Sequence, residues 1–136
     1  MAATAALVGF TACSNSDDDD GGPGASSLAA FTHKNPCLDM MDTIYFCSDN
    51  TWVRECVFPA MNNYTEKDMR GTYSIASGDF TNGTLNFTVV EHNGNKKGCE
   101  KFSLEIKDGV FYLDEDDNPV EVGVDTASSC DKYVKQ

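Results

Sequence analysis

Residues 101–114, KFSLEIKDGVFYLD, decide the fold of this chain. The Asp-Gly pair at residues 108–109 is a strong signal for a two-residue hairpin turn, which places Ile106 opposite Phe111. Alternation along both flanking runs then gathers the apolar side chains on one face and the polar side chains on the other. A slip of one residue would mix the two faces, so the turn and the pattern agree. The stretch predicts two antiparallel strands with one buried face.

The same rhythm of short apolar runs and turn residues extends over most of the chain. It indicates consecutive antiparallel strands, which together form an all-β meander of about seven or eight strands. In the middle hairpin, alternation turns five apolar side chains inwards: Tyr73, Ile75, Leu85, Phe87 and Val89. The predicted strands cover residues 43–47, 51–58, 70–77, 84–91, 101–107, 110–114 and 120–124.

The first predicted hairpin is apolar on both faces. A turn at residues 49–50 places Phe46 opposite Val53. The opposite face would then carry Tyr45, Cys47, Trp52, Arg54, Cys56 and Phe58. Something should cover this second face, and we expect a short helix over residues 35–42, which begins with an Asn-Pro pair that suits a helix start. The C-terminal stretch around Tyr133 is the other candidate for this cover.

The N-terminal part has the character of a targeting segment. Residues 1–12, MAATAALVGFTA, are uncharged and end in small residues, which is typical of the apolar part of a secretory signal. Because the stretch lacks Lys and Arg, we expect a charged start upstream of it. Residues 13–27 are mostly small, acidic or turn-forming and include four consecutive aspartates, which predicts a flexible, solvated tether.

The sequence Phe-Thr-Ala-Cys that ends at Cys13 resembles the lipobox of bacterial lipoproteins. The resemblance implies cleavage before Cys13 and a diacylglycerol on its sulfur, which would anchor the protein in the cell envelope, at the outer membrane or the cell surface. The acidic run at residues 17–20 resembles the surface-export signals of some lipoproteins of Bacteroidota.

Residues 28–136 are expected to form a single β domain. The strands and turns of residues 43–114 resemble the small lipocalin-like domains of bacterial lipoproteins. That resemblance implies a barrel and, as one function, the binding of a small apolar ligand inside it. The G-x-W that opens true lipocalins is absent, and the only tryptophan, Trp52, lies in the second predicted strand. A small closed barrel, an open barrel and a two-sheet sandwich therefore all remain as predicted architectures.

Six cysteines in a chain of 136 residues indicate an oxidising compartment. If Cys13 carries lipid, the candidates for disulfides are Cys37, Cys47, Cys56, Cys99 and Cys130. In the predicted first hairpin, Cys47 and Cys56 share a face but lie about 13 Å apart by strand rise. A disulfide does not span that distance, so these two cysteines should not pair with each other.

The net charge of the chain and one acidic loop indicate which partners and metal ions the protein could bind. With 22 acidic and 10 basic residues the net charge is −12, which disfavours nucleic acid and anionic membrane surfaces as partners. Four oxygen-bearing residues occupy positions 1, 3, 5 and 12 of a calcium-loop spacing: Asp114, Asp116, Asn118 and Asp125. Pro119 stands at the position where a calcium loop requires Gly, so a plain turn is favoured. We therefore expect no cofactor, and calcium is the less favoured alternative.

No arrangement of nucleophile and base stands out in the sequence. The two histidines, His33 and His92, lie beside the tether and at the edge of a Gly/Asn-rich loop. We therefore expect a non-enzymatic, lipid-anchored protein that acts as an interaction module for a protein or glycan. The expected interaction surface is Tyr45, Trp52 and Phe58, and binding of a small apolar ligand is the alternative function.

Overall fold

A computed structural model describes Cys13 and residues 26–35, 40–93, 95–114, 117–120 and 131–136, with the side chains of residues 97–99 left out. Within these residues the secondary structure is almost entirely β. The strands are β1 (Ser27–Asn35), β2 (Met40–Cys47), β3 (Thr51–Phe58), β4 (Tyr64–Gly78), β5 (Gly83–His92), β6 (Asn95–Ile106), β7 (Val110–Leu113), β8 (Pro119–Val120) and β9 (Asp131–Lys135). A short 3₁₀ turn, Pro59–Met61, joins β3 to β4. No helix among the described residues has the length and hydropathy needed to cross a bilayer.

The strands form one antiparallel sheet in the order β6-β5-β4-β3-β2-β1-β9-β7-β8, which curls into a half-barrel. The predicted all-β fold is confirmed, and of the predicted architectures the open barrel is the one observed. Two strands were not predicted. β1 begins at Ser27, the last residue of the predicted tether, and β9 places Tyr133 in the core.

The two later hairpins follow their predicted faces except at Ile75, which was predicted to be buried and is 46% exposed. Tyr73 and Phe87 are both buried, as predicted, and they pair across β4 and β5. At the turn after β6, the bridge between Lys107 and Val110 is the only strand pairing between this segment and β7 among the described residues. The predicted pairing of Ile106 with Phe111 is therefore absent, although both side chains are buried. β7 instead pairs with β8 and β9, which continue the sheet from its other edge.

The first hairpin has a different register from the predicted one. Phe46 lies opposite Trp52 rather than Val53, because the loop has three residues, 48–50. Asn50 takes a left-handed conformation with φ 68°, as the last residue of such loops commonly does. Moving the register by one residue exchanges the two faces of β3. Trp52 and Arg54 therefore point into the barrel, and Val53 points outwards.

The predicted helix over residues 35–42 is not formed in the part of it that the structure describes. Asn35 ends β1 and Met40 begins β2, and the two residues pair across the sheet. Strand pairing satisfies the backbone groups that a helix would have used, so tertiary structure overrides the local Asn-Pro signal. Residues 36–39 lie outside the described residues, as do residues 121–124 of the last predicted strand.

The turns lie at two opposite ends of the half-barrel. We call proximal the end that holds Ser26 and the turns at residues 48–50 and 79–82, and distal the end that holds the turns at residues 59–63 and 114–118. Phe80 closes the proximal end, where its ring centroid lies 5.4 Å from that of Phe46.

Aromatic side chains fill the space between the walls. The Trp52 and Phe87 rings stack with centroids 4.3 Å apart, and Phe111 stacks on Tyr133 at 5.1 Å. Other members of this core are Phe31, Ile44, Phe46, Met69, Tyr73, Leu85, Val89, Leu104, Ile106 and Leu113. A core of this kind provides most of the stability of such a domain through the burial of apolar area.

Candidate functional site

The predicted aromatic interaction surface does not exist in the structure. Trp52 is 1% exposed, and its Nε1–H donates to the carbonyl of Thr88 at 2.8 Å inside the barrel. Tyr45 is 8% exposed on the outer face. Only Phe58 remains partly accessible, at the distal end of β3. The prediction was wrong because it rested on the two-residue turn, which placed all three residues on one face.

Cys13, the predicted lipid-bearing residue, is bonded to Cys47 in the structure, with Sγ–Sγ 2.10 Å and Cα–Cα 5.6 Å. Both residues are buried on the outer face against Tyr45 and Val53. A sulfur in a disulfide cannot also form the thioether of a lipid anchor. The disulfide and the lipid are therefore alternative states of Cys13.

The other cysteines are only partly described. Cys56 is a buried free thiol that does not pair with Cys47, as predicted. The reason differs from the predicted one, because the observed register places Cys47 and Cys56 on opposite faces of the sheet. Cys37 and Cys130 lie outside the described residues, and so does the side chain of Cys99.

A buried arginine at the distal end is the main polar feature of the interior, and sequence analysis did not identify its role. Arg54 is 6% exposed. Its guanidinium donates to both carboxylate oxygens of Asp68, from Nε at 3.0 Å and from Nη2 at 2.7 Å. It also donates to Asp117, from Nη1 at 2.8 Å and Nη2 at 3.4 Å, and from Nη1 to the Tyr133 hydroxyl at 3.2 Å. All five of its N–H donors are used.

These contacts tie together parts of the chain that are far apart in sequence. Arg54 lies on β3 and Asp68 on the neighbouring β4, next to a bulge in that pairing. Asp117 comes from the turn between β7 and β8, with φ 63°, and Tyr133 comes from β9. The guanidinium thus links β3 and β4 to β9 and to the turn between β7 and β8 at the distal end. We call this set of residues the Arg54 network.

Burial sets the protonation of the groups in and around this network. Burial alone would lower the pKa of Arg54, but its hydrogen bonds to Asp68 and Asp117 outweigh that effect and raise the pKa, so the guanidinium stays charged. Burial raises the pKa of Asp42, which accepts a hydrogen bond from the Cys56 thiol. Its Oδ1 is buried without a hydrogen-bond partner.

The chemistry available here is that of a structural network. Burial, together with the nearby Asp42 carboxylate, raises the pKa of the Cys56 thiol, which disfavours the nucleophilic thiolate. His92 Nε2 lies 3.7 Å from an oxygen of Asp117, which Arg54 already engages. His33 Nε2 lies 3.5 Å from Asp131 on the other side of the network. His33 Nδ1 also lies 3.2 Å from the Lys132 carbonyl, and its ring centroid is 5.4 Å from that of Tyr133.

The acidic loop forms a tight turn where the structure describes it. Asp114 Oδ1 accepts a hydrogen bond from the Asn118 amide at 3.0 Å, and the Asp117 amide donates to the Asp114 carbonyl at 2.8 Å. Asp116 and Asp125, the other two predicted calcium ligands, lie outside the described residues. Across the described ranges, no three His, Cys, Asp or Glu side chains are grouped for a metal ion.

A group of exposed apolar side chains projects from the distal end. Met61, in the turn that joins β3 to β4, is 61% exposed, and Tyr64, the first residue of β4, is 51% exposed. The Phe58 ring lies 6.0 Å from that of Tyr64, centroid to centroid. We call Phe58, Met61 and Tyr64 the apolar tip. Sequence analysis selected only Phe58, although an apolar Pro-Ala-Met turn between two strands is a visible signal.

Comparison of the chain with protein-family models, with curated proteins and with solved structures finds no match. The candidate sites therefore stand on the geometry of this chain alone.

Proposed function

We propose that this chain is a non-enzymatic protein of the bacterial cell envelope, held to a membrane by a lipid on Cys13, and that its domain acts as an interaction module for a protein or glycan. The observation that carries the interaction module is the filled interior. Phe80 closes the proximal end, aromatic side chains occupy the middle, and the Arg54 network occupies the distal end. A partner would then bind the outer surface of the domain rather than the inside of the barrel.

The lipid anchor is supported by the sequence around Cys13 and by the place where the chain enters the domain. Ser26 lies at the proximal end, where its carbonyl accepts from the Ser48 amide at 2.8 Å. The acidic run before it would extend as a spacer between lipid and domain. In bacterial lipoproteins the diacylglycerol is attached before the signal is cut. On this proposal the Cys13 sulfur is occupied before Cys47 reaches it, and the disulfide belongs to chains that escape lipidation.

Titration with an apolar fluorescent fatty acid separates surface recognition from ligand binding inside the barrel. We expect no saturable one-to-one binding and no change in tryptophan emission. The reason is that Trp52, the only tryptophan in the sequence, stacks on Phe87 inside the barrel, and each of the two side chains is 1% exposed. Saturable binding that shifts or quenches Trp52 emission would contradict the interaction module and support the apolar-ligand alternative. Binding that leaves Trp52 emission unchanged reports only the surface.

A further inference from the structure

We infer that the apolar tip is the surface by which this domain docks, and that its partner is a protein with an apolar recess rimmed by basic side chains. The inference rests on the proposed function and names the partner class for it. It concerns Phe58, Met61 and Tyr64 at the turn between β3 and β4.

The tip is where exposed apolar area is concentrated in the described part of the chain. The large apolar side chains with the greatest exposure there are Leu28, Met61, Tyr64, Ile75 and Val134. Met61 and Tyr64 lie three residues apart on one turn, whereas the other three lie singly on β1, β4 and β9. Single exposed apolar residues are ordinary on a protein surface, but a group at a projecting turn indicates an interaction site.

The side chains of the tip suit insertion into a recess. Methionine is flexible and polarizable, so Met61 can adapt to an irregular apolar pocket. Tyrosine is enriched among the residues that dominate binding energies, because its ring buries a large area with little loss of conformational freedom. Phe58 lies behind Tyr64 and supports its ring from the side of β3.

The backbone of the tip is already ordered, which lowers the entropic cost of docking. The 3₁₀ turn Pro59–Met61 is followed by Asn62 and Asn63, both in the left-handed conformation at φ 59°. The Asn63 amide donates to the Pro59 carbonyl at 3.4 Å. Phe58 pairs with Tyr64 in the sheet, so the strands are held together up to the base of the turn.

The position of the tip in the fold favours a partner away from the anchoring membrane. The chain enters at Ser26 on the proximal end, and β3 runs from that end to Phe58 on the distal end. Eight residues of strand span roughly 25 Å. A domain tethered through its N-terminal segment can therefore point the tip outwards, towards a protein at or beyond the surface.

The negative charge of the domain favours a protein over a lipid surface as the partner of the apolar tip. Residues 28–136 hold 18 acidic and 10 basic residues, a net charge of −8. Beside the tip, Glu66 and Lys67 are both exposed on β4, so the repulsion comes from the domain as a whole. An anionic leaflet would repel such a domain, whereas a recess with a rim of Lys and Arg would attract it and speed association. The contact should therefore weaken as salt is raised.

Site-specific photo-crosslinking tests this inference in the full-length chain at its native membrane. We replace Met61 by benzoylphenylalanine in one variant and Ile75 by the same residue in a second variant. The second variant is the control, because it carries the same photoreactive group at another exposed apolar position of the sheet. We expect one discrete protein adduct from position 61, a decline of that adduct in 0.5 M salt, and no such adduct from position 75.

Affinity then tests the side chains themselves. With the crosslinked protein purified, M61S/Y64S should bind it about 100-fold more weakly, because a few central side chains supply most of the binding energy of an interface. This loss corresponds to about 2.8 kcal/mol for the two side chains together. The control I75S/V134S, which removes two exposed apolar side chains elsewhere, should bind within about 2-fold of wild type. Unchanged Trp52 emission and melting temperature show that each variant is folded.

The outcomes separate the tip from the proposed function. A protein adduct from position 75 alone, or an equal loss of affinity in both double variants, would contradict docking through the apolar tip. The proposal that the domain is an interaction module would still stand. An adduct of position 61 with lipid or glycan overturns the partner class. Absence of any adduct together with saturable fatty-acid binding that changes Trp52 emission overturns both.

Discussion

The Arg54→Leu variant is expected to lose about 3–5 kcal/mol of unfolding free energy, because removing one partner leaves buried opposite charges uncompensated. Asp68 and Asp117 would each lose two charge-assisted hydrogen bonds, and the Tyr133 hydroxyl would lose its donor. Leucine occupies part of the arginine volume but donates nothing. Urea denaturation followed by Trp52 emission measures the loss.

A surface ion pair provides the matched control. Arg70 lies 3.1 Å from Glu91, with side chains 44% and 34% exposed, so Arg70→Leu should cost about 1 kcal/mol or less. Replacing Arg54, Asp68 and Asp117 together by Leu, Asn and Asn should recover part of the stability lost by Arg54→Leu, since no unpaired charge remains. Equal effects of Arg54→Leu and Arg70→Leu, or no recovery in the triple variant, would contradict the role of the Arg54 network.

The Gly71→Ala variant is expected to lose about 3 kcal/mol, from forced displacement in a packed core and a broken buried hydrogen bond. A Cβ at this position would overlap the Thr88 carbonyl oxygen on β5 and would lie 2.6 Å from Trp52 Nε1. Those two groups share the hydrogen bond that orients the indole. Thermal unfolding and the near-ultraviolet circular dichroism of Trp52 report the change.

The same strand offers a control at Ser74, which is exposed and accepts a hydrogen bond from Asn86 at 3.2 Å. Ser74→Ala should change the stability by no more than about 0.5 kcal/mol. If Gly71→Ala unfolds at the same temperature as Ser74→Ala, the close approach of β4 and β5 at Trp52 does not occur as described.

Local alternation was sufficient to predict the middle of the sheet. The run from Tyr73 to Val89 has regular alternation, so its strands and most of its buried face follow from sequence. Ile75 is the exception, because a bulge follows it at the end of the pairing and its side chain is 46% exposed. The sequence of residues 48–50 does not indicate the length of the loop, because Ser-Asp-Asn is compatible with both a two-residue and a three-residue loop. The difference of one residue in loop length exchanges the two faces of β3, so Trp52 and Arg54 lie in the interior rather than on the predicted surface.

Long-range contacts account for the rest of what sequence could not predict. Arg54 meets Asp117 and Tyr133 across 63 and 79 residues, and no local pattern indicates such partners. β9 is only five residues long, and it is stabilised by pairing with β1 and β7 on its two sides. Short strands of this kind are formed by their neighbours rather than by their own propensity.

The chemical state of Cys13 in protein taken from its native membrane decides whether a lipid holds this domain there. Mass spectrometry of the N-terminal peptide, after alkylation without reduction, should find a peptide that begins at Cys13 and carries two or three acyl chains. Each buried methylene adds about 0.8 kcal/mol of membrane affinity, so chains in this number are enough for stable anchoring. Cys47 should not be linked to Cys13, and Cys13→Ser should leave the detergent phase for the aqueous phase. A Cys13–Cys47 disulfide in the membrane-derived protein, with no acyl chain on Cys13, would contradict the lipid anchor.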